Sequence, residues 1–450
     1  MQQLLLDIFP PNDSNIEKPE KTMVFGKKIN QILPEDKTIH DWYRFVLSFP
    51  PHLVRSYLDE FNLKPNMLTL VPFCGTGTTL VEAKLKGISA IGIEANRLAH
   101  FVSCVKVHWE IDPDLFWEHA QRVADFAVNQ LKKQGIEDLL FEENNKSIDN
   151  LMLLEPQKEK LLLSNSISPL PLHKSLILLD SIKKHPSPFY NHELLAYAKA
   201  LVYKISNLHF GPEVGVKNPK PDVAVVHAWL QEVKNMVQDL RVVYKKSYPK
   251  ANVYLYDARK MSELLAPNSV DAVITSPPYP NEKDYTRTTR LESVILDFIQ
   301  NKQELRQLKK TLIRSNTRNV YKEDDDEKWI EEQHEIQELA DKIEQRRLEL
   351  GKTSGFEKLY SRVTKLYFGG MARHLSEFSQ VLKPGAKLAY VVGDQASYFR
   401  VMLKTGKLLA DIAKTQGYEL IKRDLFRTRF STVTKQQLKE EVVVLRWKGK

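Results

Sequence analysis

Short apolar runs closed by glycine, proline or an acid, each followed by a stretch with helical spacing, recur in two blocks of the chain. In "NMLTLVPFCGTGTTLVEAKLKGISAIGIEANRLAHFVSCVKV" this pattern predicts a strand over 67–72, a turn over 73–77 and a helix over 78–86. A strand over 88–93 and a helix from about Asn96 complete the first block. The second block starts at Ala251. "ANVYLYDA" reads as a strand, "RKMSELL" as a short helix and "VDAVITSPP" as a strand. "FGGMARHLSEFSQVLKPGAKLAYVVGD" then gives a helix, a Lys-Pro-Gly turn and a strand, and a last helix precedes the run "EEVVVLRW". Strands and helices that alternate in this way predict a parallel sheet of about six or seven strands with flanking helices.

Residues 108–250 break the alternation. They are rich in helix formers, and 222–245 carry helical apolar spacing, so a largely helical insertion or small second domain is expected here. A second insert, about 300–355, places Ile336, Leu339, Ile343 and Leu350 on one helical face, a seam too short for a coiled coil. The acidic stretch "YKEDDDEKW" inside it reads as a surface loop that faces away from any polyanion.

Composition narrows the class. With 42% apolar and 27% charged residues, the chain of 450 is an ordinary globular protein, long enough for one large domain with insertions or for two or three domains. No apolar run reaches the ~18 residues of a membrane span. The start "MQQLLLDIFPPNDSN" lacks the basic lead and cleavage site of a secretory signal, so a cytoplasmic protein is expected. Two cysteines, Cys74 and Cys104, make neither a disulfide framework nor a cysteine-rich zinc site, and the histidines lack ligand spacing, so no metal is expected. A net charge of +9 is compatible with a polyanionic partner such as nucleic acid.

The turn "VPFCGTGTTLVEA" sets Gly75 and Gly77 between an apolar strand and a helix, where glycine permits a tight turn and close approach of a ligand. Glu94 closes the next strand, 19 residues after Gly75, where a carboxylate can accept hydrogen bonds from ribose hydroxyls. The alternative is a purely structural turn with an exposed Glu. Leu80 stands where a dinucleotide fingerprint wants a third glycine or alanine, and no lysine follows as in a P-loop. The pattern suits an adenosine without a pyrophosphate.

"PFCGTGTT" resembles the S-adenosylmethionine-binding motif of amino-methylating DNA methyltransferases, and "TSPPY" resembles their catalytic motif. "FPPHLVRSYLDEF" over 49–61, Asp257 at the end of "VYLYD", "VLKPGAKLAYVVGD" and "EEVVVLRW" are similar to further stretches of that family, so the resemblance covers roughly 38–107 and 251–450. It implies a Rossmann-like class I methyltransferase sheet of seven strands with helices on both faces, plus a largely helical insertion. The methyltransferase domain would then comprise 1–107 and 251–450, with 108–250 as the candidate target-recognition region. The cofactor motif precedes the catalytic one here, the reverse of the commoner order for Ser-Pro-Pro-Tyr enzymes.

The resemblance assigns S-adenosylmethionine to Phe73, Cys74, Gly75, Thr76, Gly77, Thr78, Thr79, Glu94 and Asp257, and catalysis to Ser276, Pro277, Pro278 and Tyr279. Ser276 Oγ and the Pro277 carbonyl are candidate acceptors for the two N–H bonds of an exocyclic amino group, held in advance by the prolines. Tyr279 can stack on a base extruded from the duplex. Cytosine C5 methylation would need a cysteine in this motif, and there is none.

Arg287, Arg290, Arg314 and Arg318, with Lys217 and Lys220 in the insertion, are candidate contacts to a DNA backbone, against the alternative of a solvated helical face. The expected partner is double-stranded DNA, with a companion restriction nuclease on a separate chain as a further partner. N4 of cytosine is the favoured target. N6 of adenine, RNA or a protein amide as substrate, and an inactive nucleic-acid-binding subunit are the alternatives.

Overall fold

The computed structural model describes residues 32–45, 48–139, 150–211, 213–281, 283–430 and 435–449. The stretch 1–31, on which the expectation about a secretory signal falls, lies outside them.

Seven strands form one sheet: β1 (Leu68–Val71), β2 (Ser89–Glu94), β3 (Ala251–Leu255), β4 (Val270–Thr275), β5 (Leu382–Gly393), β6 (Tyr418–Phe430) and β7 (Gln437–Trp447). Their order is β3-β2-β1-β4-β5-β7-β6. The first five run parallel, in register from Leu68↔Ser89 and Thr69↔Ala272. β7 departs from the expected parallel pattern and runs antiparallel to both β5 and β6. The reason is chain length. Only residues 431–436 separate β6 from β7, whereas a parallel return needs a crossover of a dozen or more residues.

Side chains alternate between the faces, and both faces are buried. On one face, Val71, Ala272, Ile274, Val391 and Val444 join α1 (Pro51–Glu60), α2 (Thr78–Leu85) and α3 (Arg97–Lys106) in one core. On the other, Leu70, Val273, Tyr390, Val392 and Val443 meet the helices Tyr360–Val381 and Thr405–Thr415. Leu70, Val71, Ala272 and Val273 are wholly buried, the leucine and the two valines each contributing about 1.5–3 kcal/mol of hydrophobic stabilisation.

The insertion supplies α4 (Pro113–Lys132), α5 (Pro169–Lys184), α6 (Tyr190–Ala200) and α7 (Val225–Val243), with a small hairpin of Leu208–Phe210 and Val214–Val216. Its apolar faces extend the first core, and Asp239 of α7 accepts hydrogen bonds from Ile39 N (2.8 Å) and Trp42 Nε1 (2.9 Å).

The second insert carries α8 (Lys302–Thr311) and α9 (His334–Glu349), followed by α10 (Tyr360–Val381) and α11 (Thr405–Thr415). Ile336 and Ile343 of α9 are buried and Leu339 is half-buried, but Leu350 is 45% exposed. The helix ends at Glu349, so Leu350 caps it instead of extending the seam.

The acidic stretch also differs from expectation. Asp326 is 4% exposed and pairs with Arg259 (2.5 Å) and Arg373 (3.2 Å), and Asp324 pairs with the buried Arg314 (2.6 Å). Guanidinium groups withdrawn from water need counter-ions, and this stretch provides them. Gly369 makes the docking sterically feasible: a Cβ there would lie 1.9 Å from the Asp326 carbonyl oxygen.

Candidate active site

The strand order reverses between β2-β1 and β1-β4, the switch point where open α/β sheets bind ligands beyond the carboxyl ends of their strands. The glycine turn leaves β1 there and Ser-Pro-Pro-Tyr leaves β4 beside it. A cleft of about 290 Å³ opens between them, lined among others by Phe73, Gly75, Glu94, Asp257, Ser276 and Tyr279.

Gly75 (φ +53°) and Gly77 (φ +84°) both lie in the left-handed region that favours glycine. They serve different surroundings. A Cβ on Gly75 would meet nothing within 4 Å, so the turn leaves open space beside the cleft. A Cβ on Gly77 would sit 3.1 Å from Ser103 Cβ, so that glycine lets α2 lie against α3. Cys74, Thr76 and Thr78 line the cleft, whereas Gly77 and the buried Thr79 are not among its lining residues.

Glu94 ends β2 and pins the turn: Oε2 accepts from Gly75 N and Oε1 from Asn96 N, both at 2.8 Å. Enclosure pushes its carboxyl up to about 7, against the pull of those N–H groups. Asn96 then caps α3 by accepting from Leu98 N and Ala99 N.

Asp257, beyond β3, is gripped by Arg259, Nη2 to Oδ2 at 2.6 Å and Nε to Oδ1 at 3.0 Å. Burial opposes the charge on Arg259, but Asp257 and Asp326 outweigh it and hold the guanidinium above its usual range. The insert thereby fixes a carboxylate on the cleft wall.

At the other end, Ser276 Oγ donates to Val391 O at 3.0 Å, which commits its single proton and leaves its lone pairs as acceptors. Pro277, Pro278 and Tyr279 line the cleft with it. The Tyr279 ring lies against the backbone of Gly393, where a Cβ would be 2.9 Å from Tyr279 Cε2. Burial, then Glu440, holds the phenol well above its usual range, so the ring is neutral.

The six candidate DNA contacts separate into two groups. Arg318 and Lys217 are exposed and Arg287 is half-exposed. Arg314 is 4% exposed, bound to Asp324 and to the carbonyls of Lys309 and Lys310, so it is a structural residue and the expectation is corrected. Arg290 turns back on Thr286 (3.0 Å to O, 2.9 Å to Oγ1), and Lys220 donates to Lys204 O at 2.7 Å. Neighbouring backbone engages both side chains.

Sequence reasoning missed Lys283, Asn281, Gln395, Asn319 and Arg429, all on the cleft wall. Asn281 and Lys283 lie two and four residues after Tyr279, so their nearness to the catalytic motif offered a signal. Gln395, Asn319 and Arg429 are set by tertiary contact.

The cleft fits S-adenosylmethionine. There is room beside Gly75, and the carboxylates of Glu94 and Asp257, both on the cleft wall, are of the kind that would hold ribose hydroxyls and an adenine amino group.

No protein-family model matches the chain. It is 27% identical to the Type II methyltransferase M.BsoBI of Geobacillus stearothermophilus, over 95% of this chain and 88% of that one. It is 23% identical to the Type II methyltransferase M.AvaI of Nostoc sp. (strain PCC 7120 / SAG 25.82 / UTEX 2576), over 86% and 80% of the two chains. Among solved structures, TrmN from Thermus thermophilus aligns with a TM-score of 0.29 at 10% identity, over 88% of this chain and 48% of that one. A SAM-dependent methyltransferase from Methanosarcina mazei aligns with a TM-score of 0.31 at 9% identity, over 88% and 98%. Sheet order and cleft agree with the Rossmann-like class I methyltransferase fold, the cleft is one that S-adenosylmethionine fits, and the chain is similar over most of its length to Type II methyltransferases.

Proposed function

We propose that this chain is a site-specific DNA methyltransferase that methylates the exocyclic amino group of a base turned out of the duplex, N4 of cytosine in preference to N6 of adenine. The observation that carries the reading is the shared cleft, in which Ser276-Pro277-Pro278-Tyr279 faces the glycine turn, Glu94 and Asp257. When bound, S-adenosylmethionine supplies an electrophilic methyl group on a sulfonium. The protein's part is to hold the amino nitrogen in line with it. Ser276 Oγ, its proton committed to Val391, and the Pro277 carbonyl accept the two N–H bonds and localise the nitrogen lone pair. Tyr279 stacks on the base, and proximity supplies much of the rate.

Direct transfer is favoured over a covalent route. Burial pushes the Cys74 thiol well up and the Cys104 thiol to about 11, so neither offers a thiolate near neutral pH. DNA as substrate is supported by the Type II relatives and by the exposed Arg318 and Lys217. The serine in the catalytic motif favours cytosine. The test is to express the chain in a methylation-free host and to sequence that host's DNA for modified bases. A recurrent motif bearing N4-methylcytosine supports the proposal, and unmodified DNA from cells that contain the folded protein overturns it.

A further inference from the structure

One buried polar group in the cleft wall is left unanswered by the fold. Asn319 closes the turn Thr317–Asn319 and is 2% exposed, yet its Oδ1 has no hydrogen-bond partner among the described residues. It lines the cleft together with Ser276. The segment around it is held from two sides: Asn316 Nδ2 donates to Lys283 O at 3.2 Å, and Tyr398 OH donates to Ser315 O at 3.3 Å. A carbonyl oxygen kept dry and unpaired is destabilising, and in a ligand cleft its natural partner is a donor on the ligand.

The insert's own course indicates which ligand. Its earlier residues border the Asp257 end, where Arg259 Nη2 donates to Lys310 O at 3.2 Å. The stretch 315–319 is tied instead to the loop that follows Tyr279, the end of the cleft that holds the acceptors for an amino group. A side-chain amide offers an acceptor and a donor side by side. Cytosine presents the matching pair, an amino N–H beside a bare ring nitrogen, and so does adenine. Guanine and thymine present the reverse, a carbonyl beside a ring N–H.

We propose that Asn319 reads the Watson–Crick edge of the target base. Its Oδ1 shares the ring-side amino N–H with the Pro277 carbonyl, and its Nδ2 donates to the adjacent ring nitrogen. In this orientation the Asn319 amide matches the edge of an amino base. The inference rests on the DNA-methyltransferase reading and adds a residue that engages the target base.

The test compares wild type with Asn319→Ala and Asn319→Asp. Transfer of tritiated methyl to an unmethylated plasmid library and calorimetric binding of S-adenosylhomocysteine are both measured. Asp keeps the size and the acceptor but loses the donor, so it separates base reading from shape. Both variants should lose about ten- to a hundredfold in kcat/KM for DNA, with binding of S-adenosylhomocysteine within twofold of wild type. Transfer within twofold of wild type in both variants overturns the inference. So does a tenfold loss of S-adenosylhomocysteine affinity, which would assign Asn319 to the cofactor. A wild type that binds S-adenosylhomocysteine and labels no DNA overturns the underlying reading, an outcome visible before any variant is measured.

Discussion

Thr275 and Phe73, 202 residues apart, bond to each other across the ends of β4 and β1. The Phe73 N–H donates to Thr275 Oγ1 at 3.3 Å, and that hydroxyl donates back to Phe73 O at 3.4 Å. The wholly buried Thr275 thus joins the strand that ends in the glycine turn to the strand that ends in Ser-Pro-Pro-Tyr. Thr275→Val keeps the volume but leaves the Phe73 N–H without a partner. Chemical denaturation should show a loss of about 1–2 kcal/mol at unchanged m-value. Unchanged stability would remove the bond from the account.

The contact between Tyr279 and Gly393 should be equally sensitive. A Cβ at position 393 would meet the Tyr279 ring at 2.9 Å and Glu440 Cγ at 3.1 Å, so Gly393→Ala must displace the ring that is proposed to stack on the base. Methyl transfer to a base misplaced by even an ångström is slow. We expect kcat for DNA methylation to fall roughly tenfold or more, with little change in S-adenosylhomocysteine binding.

Cofactor affinity should depend on pH through Glu94. Its carboxyl titrates near 7 in the ligand-free protein, and the ribose hydroxyls need the ionised form as acceptor. The ionised fraction falls as pH drops through that value. The Kd for S-adenosylhomocysteine should therefore rise about tenfold between pH 8 and pH 6. Glu94→Gln should bind weakly at both pH values, with the dependence lost. A flat wild-type profile by calorimetry would argue against this role for Glu94.

The basic residues should behave as two classes. Removing Arg314 leaves Asp324 buried without its partner, so Arg314→Ala should lower unfolding free energy by about 3 kcal/mol. Arg287→Ala and Arg318→Ala should leave stability unchanged, weaken DNA binding across all sequences, and reduce the slope of log K against log salt by about one each. Salt titrations of DNA affinity, set beside thermal melts, separate the classes.

The contrast between Arg314 and Arg318 marks where the sequence is legible. The glycine turn, the closing acid and the bounds of β1 and β2 are local features, set by residues that punctuate the chain, and they read from pattern to within a residue or two. The expected Lys-Pro-Gly turn instead lies inside β5, and the pattern does not predict β6. Arg314 and Arg318 look alike in one basic stretch. Only the fold brings Asp324 onto the first and leaves the second in solvent. Asp326 looked like solvated charge for the same reason, because its partner Arg259 lies 67 residues upstream. The packing of Ser103 behind Gly77 is likewise invisible to motif spacing. Asn319 carried no signal at all, since an unpaired amide is defined by what fails to surround it. The reversed β7 was implicit in the short link 431–436, which admits only a hairpin.

The central claim is amino-group methylation of DNA, and the direct test is chemical. The purified chain is incubated with S-adenosylmethionine carrying a tritiated methyl group and with unmethylated DNA, which is then digested to nucleosides and separated. The account predicts label in N4-methylcytosine for wild type and at least about a hundredfold less for Ser276→Ala. Absence of label from DNA, with cofactor binding demonstrated on the same preparation, would contradict it.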